Sequence, residues 1–413
     1  MRSFFSALLL LVCVSAPVRS EQLLARWVQM APGGAAEVRV VVQGGQCPVA
    51  TVDGTKMAMQ VRAAPDDKFP VLLCAVTLPV AAQHVLVDGQ DLPLPKPAPT
   101  RILVLGDTGC RIKGRTIQAC NDPAGWPFPQ VAAQAAKLKP DLVIHVGDYL
   151  YRESRCPADD QRCAGSPWGD NWTTWAADFF TPAKPLLEAA PWVIVRGNHE
   201  ECVRAGAGFL RLLGPLAFAA GAPCTEHVAP YAVPLGAVNL IVMDNASAVD
   251  RGPSEELVKT YQTDFATLPK LASKPTWLAM HHPIWGVARL RLGIVAGGNT
   301  TLMDAEDTTG IPSHVDLLLA GHIHTFEAIN YEKGLPPQLI VGEGGDILDS
   351  APPDLSGLTV GTAKIADGLS LPGYGFLLLT HVGDHWSVEV FDASGTRERS
   401  CTIAARHIDC PKN

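Results

Sequence analysis

The chain is 413 residues long, with 47% hydrophobic and 18% charged residues, a formal net charge of -8 and an isoelectric point near 5.8. That is enough material for two or three domains around a substantial core. It excludes a disordered chain and lacks the basic balance of a nucleic-acid-binding protein.

The N-terminus, MRSFFSALLLLVCVSAPVRSEQ, sets Arg2 before an apolar run from Leu8 to Val14 and small residues before Glu21. It reads as a secretory signal peptide over residues 1–20, too short to span a bilayer, so the mature chain is expected to carry no membrane span. Cleavage after Ser20, with Val18 two places back, fits the small-residue rule better than cleavage after Ala16, where a proline follows. A lipoprotein anchor on Cys13 is opposed by Val12, which stands where a small residue belongs. The expected destination is secreted or periplasmic.

Setting Cys13 aside, ten cysteines remain, and an even number in an exported chain points to disulfides. They fall into sequence-local pairs: Cys47 with Cys74, Cys110 with Cys120, Cys156 with Cys163, Cys202 with Cys224, and Cys401 with Cys410. A thiolate metal site would be the competing use, but the sequence contains no CxxC.

Residues 21–95 carry short apolar or alternating runs, EVRVVVQ, KMAMQVRA, VLLCAVTL and HVLVDG, separated by Gly, Pro and Asp. These are strand and turn signals and predict a small β-sandwich module. A stiff proline-rich linker follows at 96–100. From 101 to 413 the pattern changes to an α/β layered domain. RILVLGD, DLVIHVGD, PWVIVRGNH, VNLIVMDN, TWLAMHH, VDLLLAGHIH and PQLIVGEG are buried strands ended by polar residues. PQVAAQAAKLK and EELVKTYQTDFATLPKLA between them have helical potential.

The strand ends carry the chemistry. They present Asp107 in GDTG, Asp148 and Tyr151 in GDYLY, Asn198 and His199 in GNHE, His281 in AMHHP, and His322 and His324 in GHIH. Each alone has an ordinary explanation, since Asp and Asn cap helices and tolerate turns and a histidine can serve packing. Together, in order, each closing an apolar strand where open α/β sheets bind ligands, they argue for a site of metal ligands and proton carriers.

The series resembles the calcineurin-like metallophosphoesterase superfamily over roughly residues 101 to 345, and within it the purple acid phosphatases. The superfamily's usual first block is Asp-x-His, whereas this chain reads Asp107, Thr108, Gly109; purple acid phosphatases also lack that histidine and supply a tyrosine three residues after the bridging aspartate, where Tyr151 stands. The resemblance implies a layered αββα metallophosphoesterase sandwich. One metal would take Asp107, Tyr151 and His324, the other Asn198, His281 and His322, and Asp148 would bridge them. Physical chemistry agrees, because a carboxylate can offer oxygens to two cations and two cations can clamp a phosphoryl group. The tyrosine suits Fe(III), with Zn, Fe or Mn as the second ion. The implied reaction is attack of a metal-bound hydroxide on phosphorus, with His199 protonating the leaving alkoxide.

The expected activity is that of a phosphomonoesterase on a small phosphate ester. A phosphodiesterase or nucleotidase of the same superfamily is the alternative, and a non-catalytic phosphate-binding protein is the alternative of another class. Substrate contacts are not assigned. Plant-type purple acid phosphatases place further histidines shortly after the HP block, where this chain reads IWGVARLRLGIVAGG, so Arg289 and Arg291 compete there with simple surface charge. Lys113 and Arg115 in the Cys110–Cys120 loop are candidate anion attractors. Trp168, Trp172 and Trp175 offer either a stacking platform or core packing, and His282 either a proton carrier or packing. Asn171, Asn245 and Asn299 lie in N-x-[ST] contexts.

Overall fold

The structure, a computed structural model, describes residues 22–273, 275–289 and 295–411. The signal-peptide reading of residues 1–20 and Arg291 lie outside the described residues.

Seven apolar runs become the spine of the molecule. Arg101–Leu105, Leu142–His145 and Trp192–Ile194 pair in parallel in one sheet. Asn239–Val242, Thr276–Ala279, Val315–Ala320 and Gln338–Val341 pair in parallel in a second. Such runs are apolar on both faces because both faces are covered. Between the sheets lies a core that includes Val104, Ile144, Val193, Leu240, Ala279 and Leu319.

Outside the first sheet packs the helix Phe128–Lys137, which buries Phe128, Val131, Ala132 and Ala135 at helical spacing. Outside the second packs Glu255–Leu271, which buries Tyr261, Phe265 and Leu268 and begins at Ser254, whose side chain accepts from the amide of Leu257. The αββα layering expected from the sequence is present.

Two features were not read from the sequence. The first sheet has eleven strands among the described residues, because the antiparallel strands Gly375–Val382, His385–Asp392, Arg397–Ala404 and His407–Asp409 extend one edge. At the other edge the N-terminal strand Gln22–Met30 pairs in parallel with Trp192–Ile194 and carries Ala36–Gln43, Leu72–Thr77 and Gln60–Ala63 beyond it. The N-terminal sandwich therefore shares one leaf with the larger sheet. Its other leaf is the four-stranded sheet of Thr55–Ala58, Val49–Val52, Val85–Val87 and Gln90–Asp91. The run KMAMQVRA is split at the buried Met59, and its halves enter different leaves.

All five disulfides join the cysteine pairs expected from sequence proximity. No helix among the described residues is long and apolar enough to cross a membrane.

Candidate metal centre

The carboxyl ends of the two sets of parallel strands meet, and the polar residues that end them turn sharply into the space between. Asp107, Asp148 and His322 do so with φ of 56°, 61° and 68°. A non-glycine residue held in this left-handed region costs roughly 1–3 kcal/mol. The turns are held by backbone bonds from Asp107 N to Gly147 O (2.9 Å) and Thr108 N to Asp148 O (3.1 Å), and by His322 N donating to Asp107 Oδ2 (3.0 Å). Three such residues at one place mark a geometry the fold enforces.

Tyr151 lies at the centre of one group. Its hydroxyl is 2.9 Å from Asp107 Oδ1, 2.8 Å from Asp148 Oδ2 and 3.1 Å from His324 Nε2. Asp107, Asp148 and Tyr151 are buried. A Cβ at position 109 would lie 2.7 Å from Tyr149 O and 2.8 Å from Tyr151 Cδ2, closer than side chains approach. The missing histidine and the added tyrosine are thus one steric fact, because Gly109 vacates the volume that the Tyr151 ring occupies.

The second group forms around Asn198. Its Oδ1 is 3.0 Å from His281 Nε2 and 3.2 Å from His322 Nδ1. Asp148 joins the groups, since the Oδ2 atom that meets Tyr151 also lies 3.2 Å from His281 Nε2.

These donors fit cations. The outer nitrogen of each ring has an acceptor: His281 Nδ1 donates to Val146 O (2.9 Å), His324 Nδ1 to Ile347 O (2.7 Å) and His322 Nε2 to Asp250 Oδ2 (3.3 Å). Each neutral ring then presents a lone pair to the centre, the tautomer that metal-binding histidines adopt. Around Tyr151 one phenol proton faces three acceptors. Around Asn198 an amide oxygen and two ring lone pairs face one another with no proton between them. Turning the amide over would instead let its nitrogen donate to both rings and its oxygen accept from Arg204 Nη1 at 2.7 Å. The orientation with Oδ1 inward is the one that serves a cation.

Electrostatics give the same result. Burial disfavours the charged forms of His281 and His324, yet the surrounding carboxylates outweigh it and push them up to about 9 and about 10. Burial likewise opposes an ionised Asp148, but the rings of His281 and His199 hold its carboxyl well below the ordinary range. Burial and the neighbouring carboxylates push the Tyr151 hydroxyl well up. Without an ion the rings themselves take up protons against these carboxylates; a bound cation would supply that positive charge and leave the rings neutral.

His199 sits beside this cluster. Its backbone N–H donates to Asp148 Oδ1 (2.8 Å), its ring centroid is 3.7 Å from that of Tyr151, and it lines a cleft of ≈ 400 Å³ together with Asp148, Asn198, His322 and His324. Burial draws its pKa down to about 4 against the pull of Asp148 and Glu153.

Several residues that serve the site were missed in the sequence. Glu153 meets His199 Nδ1 at 2.8 Å and also takes the guanidinium of Arg204. The signal was available, since Glu153 ends the same stretch, GDYLYRE, that carries Asp148 and Tyr151. Asp250 on His322 and Asp346 beside His324 have no local signature. Glu200 accepts from the amides of Tyr149, Leu150 and Gly197 and so fixes the turn around Asp148.

The remaining candidates sort themselves. His282 is buried, packs its ring 4.1 Å from that of His322 and bonds Asn245 O through Nδ1. Lys113 lines the cleft and pairs with Glu153 at 3.0 Å, whereas Arg115 and Arg289 are exposed and do not line it. Trp175 is core, Trp172 packs on Phe180, and Trp168 is about half exposed. Of the three asparagines in N-x-[ST] contexts, Asn171 and Asn299 cap helices, and the buried Asn245 accepts from the amides of His281 and His282.

Comparison with known proteins identifies the family. The family model of the calcineurin-like phosphoesterases matches residues 100–326. No curated protein sequence matches the chain significantly. Among solved structures, the chain is similar to the purple acid phosphatase PPD1 from seeds of yellow lupin (Lupinus luteus), with 14% identity, a TM-score of 0.57, and coverage of 92% of this chain and 74% of that one. It is also similar to PhoD, with 11% identity, a TM-score of 0.52, and coverage of 94% and 92%. At such identities these likenesses speak to the fold, whereas the family match spans more than half of the sequence. The chain belongs to the calcineurin-like phosphoesterase family and is a phosphoester hydrolase.

Proposed function

We propose that the protein is an exported, dinuclear metal-dependent phosphohydrolase acting on phosphomonoesters. Asp107, Tyr151 and His324 would hold one ion, Asn198, His281 and His322 the other, and Asp148 both. The observation that carries this reading is the exchange of volume between Gly109 and Tyr151, which supports a tyrosine in place of the usual ligand histidine. The first set combines carboxylate and phenol oxygens and suits iron(III); the second, apart from the shared carboxylate, is neutral and suits zinc, iron(II) or manganese. When bound, the ions supply charge neutralisation for the phosphoryl group and an ionised water near neutral pH.

The chain's own residues do the rest. His199 faces the cleft and is the group that would give a proton to the leaving oxygen. Glu153 holds its Nδ1 and favours the doubly protonated ring that such a donor needs. Asp250 and the carbonyls of Val146 and Ile347 keep the ligand rings in the metal-binding tautomer. Five disulfides support export to an oxidising compartment.

Metal analysis of the purified protein, together with parallel assays on p-nitrophenyl phosphate and bis(p-nitrophenyl) phosphate, tests the reading. Two ions per chain, loss of turnover on chelation and a preference for the monoester are expected. A stronger diester activity would move the protein to the phosphodiesterase alternative, and metal binding with no turnover of either ester would overturn the hydrolase reading.

A further inference from the structure

We propose that Arg111 reads the charge of the phosphoryl group and makes the site selective for phosphomonoester dianions over diester monoanions; this rests on the phosphohydrolase reading above. Arg111 follows Cys110 at the start of the disulfide-closed loop that rims the cleft, and its backbone N–H is fixed to Gln118 Oε1 at 2.9 Å. Its guanidinium grips the buried Asp346 through Nε, 3.1 and 2.9 Å from the two carboxylate oxygens, and through Nη2. Asp346 is itself anchored, because its amide donates to Asp107 O at 2.9 Å. The arginine is therefore held in one orientation from both ends.

That grip leaves Nη1 uncommitted, since it donates to no protein group among the described residues. Arg111 lines the same cleft as Asp148, Asn198, His199, His322 and His324. Its Cζ lies 4.9 Å from the ring centroid of Tyr151, the ring that His199 also contacts. Both residues line the cleft beside the candidate ligands.

The other cations of the cleft are engaged elsewhere. Arg204 directs Nε and Nη2 to Glu153 and Nη1 to Asn198 O, and Lys113 pairs with Glu153.

A phosphomonoester dianion has three non-bridging oxygens and a diester has two, the third being esterified. A guanidinium nitrogen aimed at that third oxygen makes a charge-assisted hydrogen bond to the monoester alone. In the diester it meets a substituent and loses its partner, so the same contact attracts one substrate and rejects the other.

The test uses the full, metal-loaded protein with Arg111→Ala and Arg111→Lys. The ratio of kcat/KM for p-nitrophenyl phosphate to that for bis(p-nitrophenyl) phosphate is expected to fall about 10²-fold in Arg111→Ala, the scale of one lost donor to a developing or fixed anion. Arg111→Lys should fall between it and the wild type. An unchanged ratio, whether or not both rates drop together, overturns the proposal.

Because Arg111→Ala takes the guanidinium from Asp346, binding is also measured by calorimetry with inorganic phosphate and with dimethyl phosphate. Arg111→Lys keeps the charge should the alanine variant not fold. A selective loss of phosphate affinity supports the proposal, and equal loss for both anions overturns it. If the wild type hydrolyses neither ester, the hydrolase reading falls while the calorimetry still decides the role of Arg111.

Discussion

The two halves of the ligand cluster differ in kind. Around Tyr151 the donors are buried and include two carboxylates, and they are wedged by Gly109 and by Asp178, which accepts from the amide of Tyr151 at 2.8 Å. Around Asn198 they are an amide and two imidazoles and are more open: His322 keeps 24% of its side chain exposed, and with Oδ1 inward the Asn198 amide faces two ring nitrogens with no proton between them. On the proposed reading, the first half would hold one ion tightly and the second would hold an ion that exchanges more readily. Asp148, whose Oδ2 reaches both Tyr151 and His281, makes the two halves one site.

The largest effect should come from removing what they share. Asp148→Asn is expected to lose both ions and all turnover, as read by metal analysis beside the assay; retention of one ion at full occupancy would show that the halves are independent. His199→Ala should leave both halves loaded while kcat falls about 10²–10⁴-fold, the scale of a lost proton donor. Metal loss in that variant would make His199 a structural prop of the Asn198 half.

Glu153→Gln and Asp250→Asn sharpen the contrast from outside the ligand set. Asp250→Asn should weaken only the ion of the Asn198 half, by about 10–100-fold in affinity. Glu153→Gln should lower kcat with unchanged metal content, and its pH–rate profile should move because the partner of His199 Nδ1 has lost its charge. Finally, partial chelation should empty the Asn198 half first, which is followed by metal content against time.

The candidate ligands that the fold brings together stand out in the sequence because each lies at or just beyond the end of an apolar strand, so position along the chain stands in for position in space. The disulfides were legible for a similar reason, since each joins neighbours in sequence. Residues that act across the fold were not legible. Arg111 and Asp346 are 235 positions apart, and their pairing follows only once the two sheets face each other. Asp250 reaches His322 from 72 positions away, out of a turn that reads as ordinary surface. The shared leaf between the N-terminal sandwich and the larger sheet was also hidden, because parallel pairing of Gln22–Met30 with Trp192–Ile194 leaves no local mark. Glu153 is different: it stands within the motif itself, but nothing in a glutamate that follows Tyr151 and Arg152 distinguishes a partner of His199 from a solvated turn residue.

The claim on which the account rests is that Tyr151 is a metal ligand in a volume that Gly109 leaves open. The visible absorption spectrum of the iron-loaded protein measures this directly. A tyrosinate-to-iron band is expected in the wild type and absent in Tyr151→Phe. A wild-type spectrum without the band, or a band that survives Tyr151→Phe, would contradict the account.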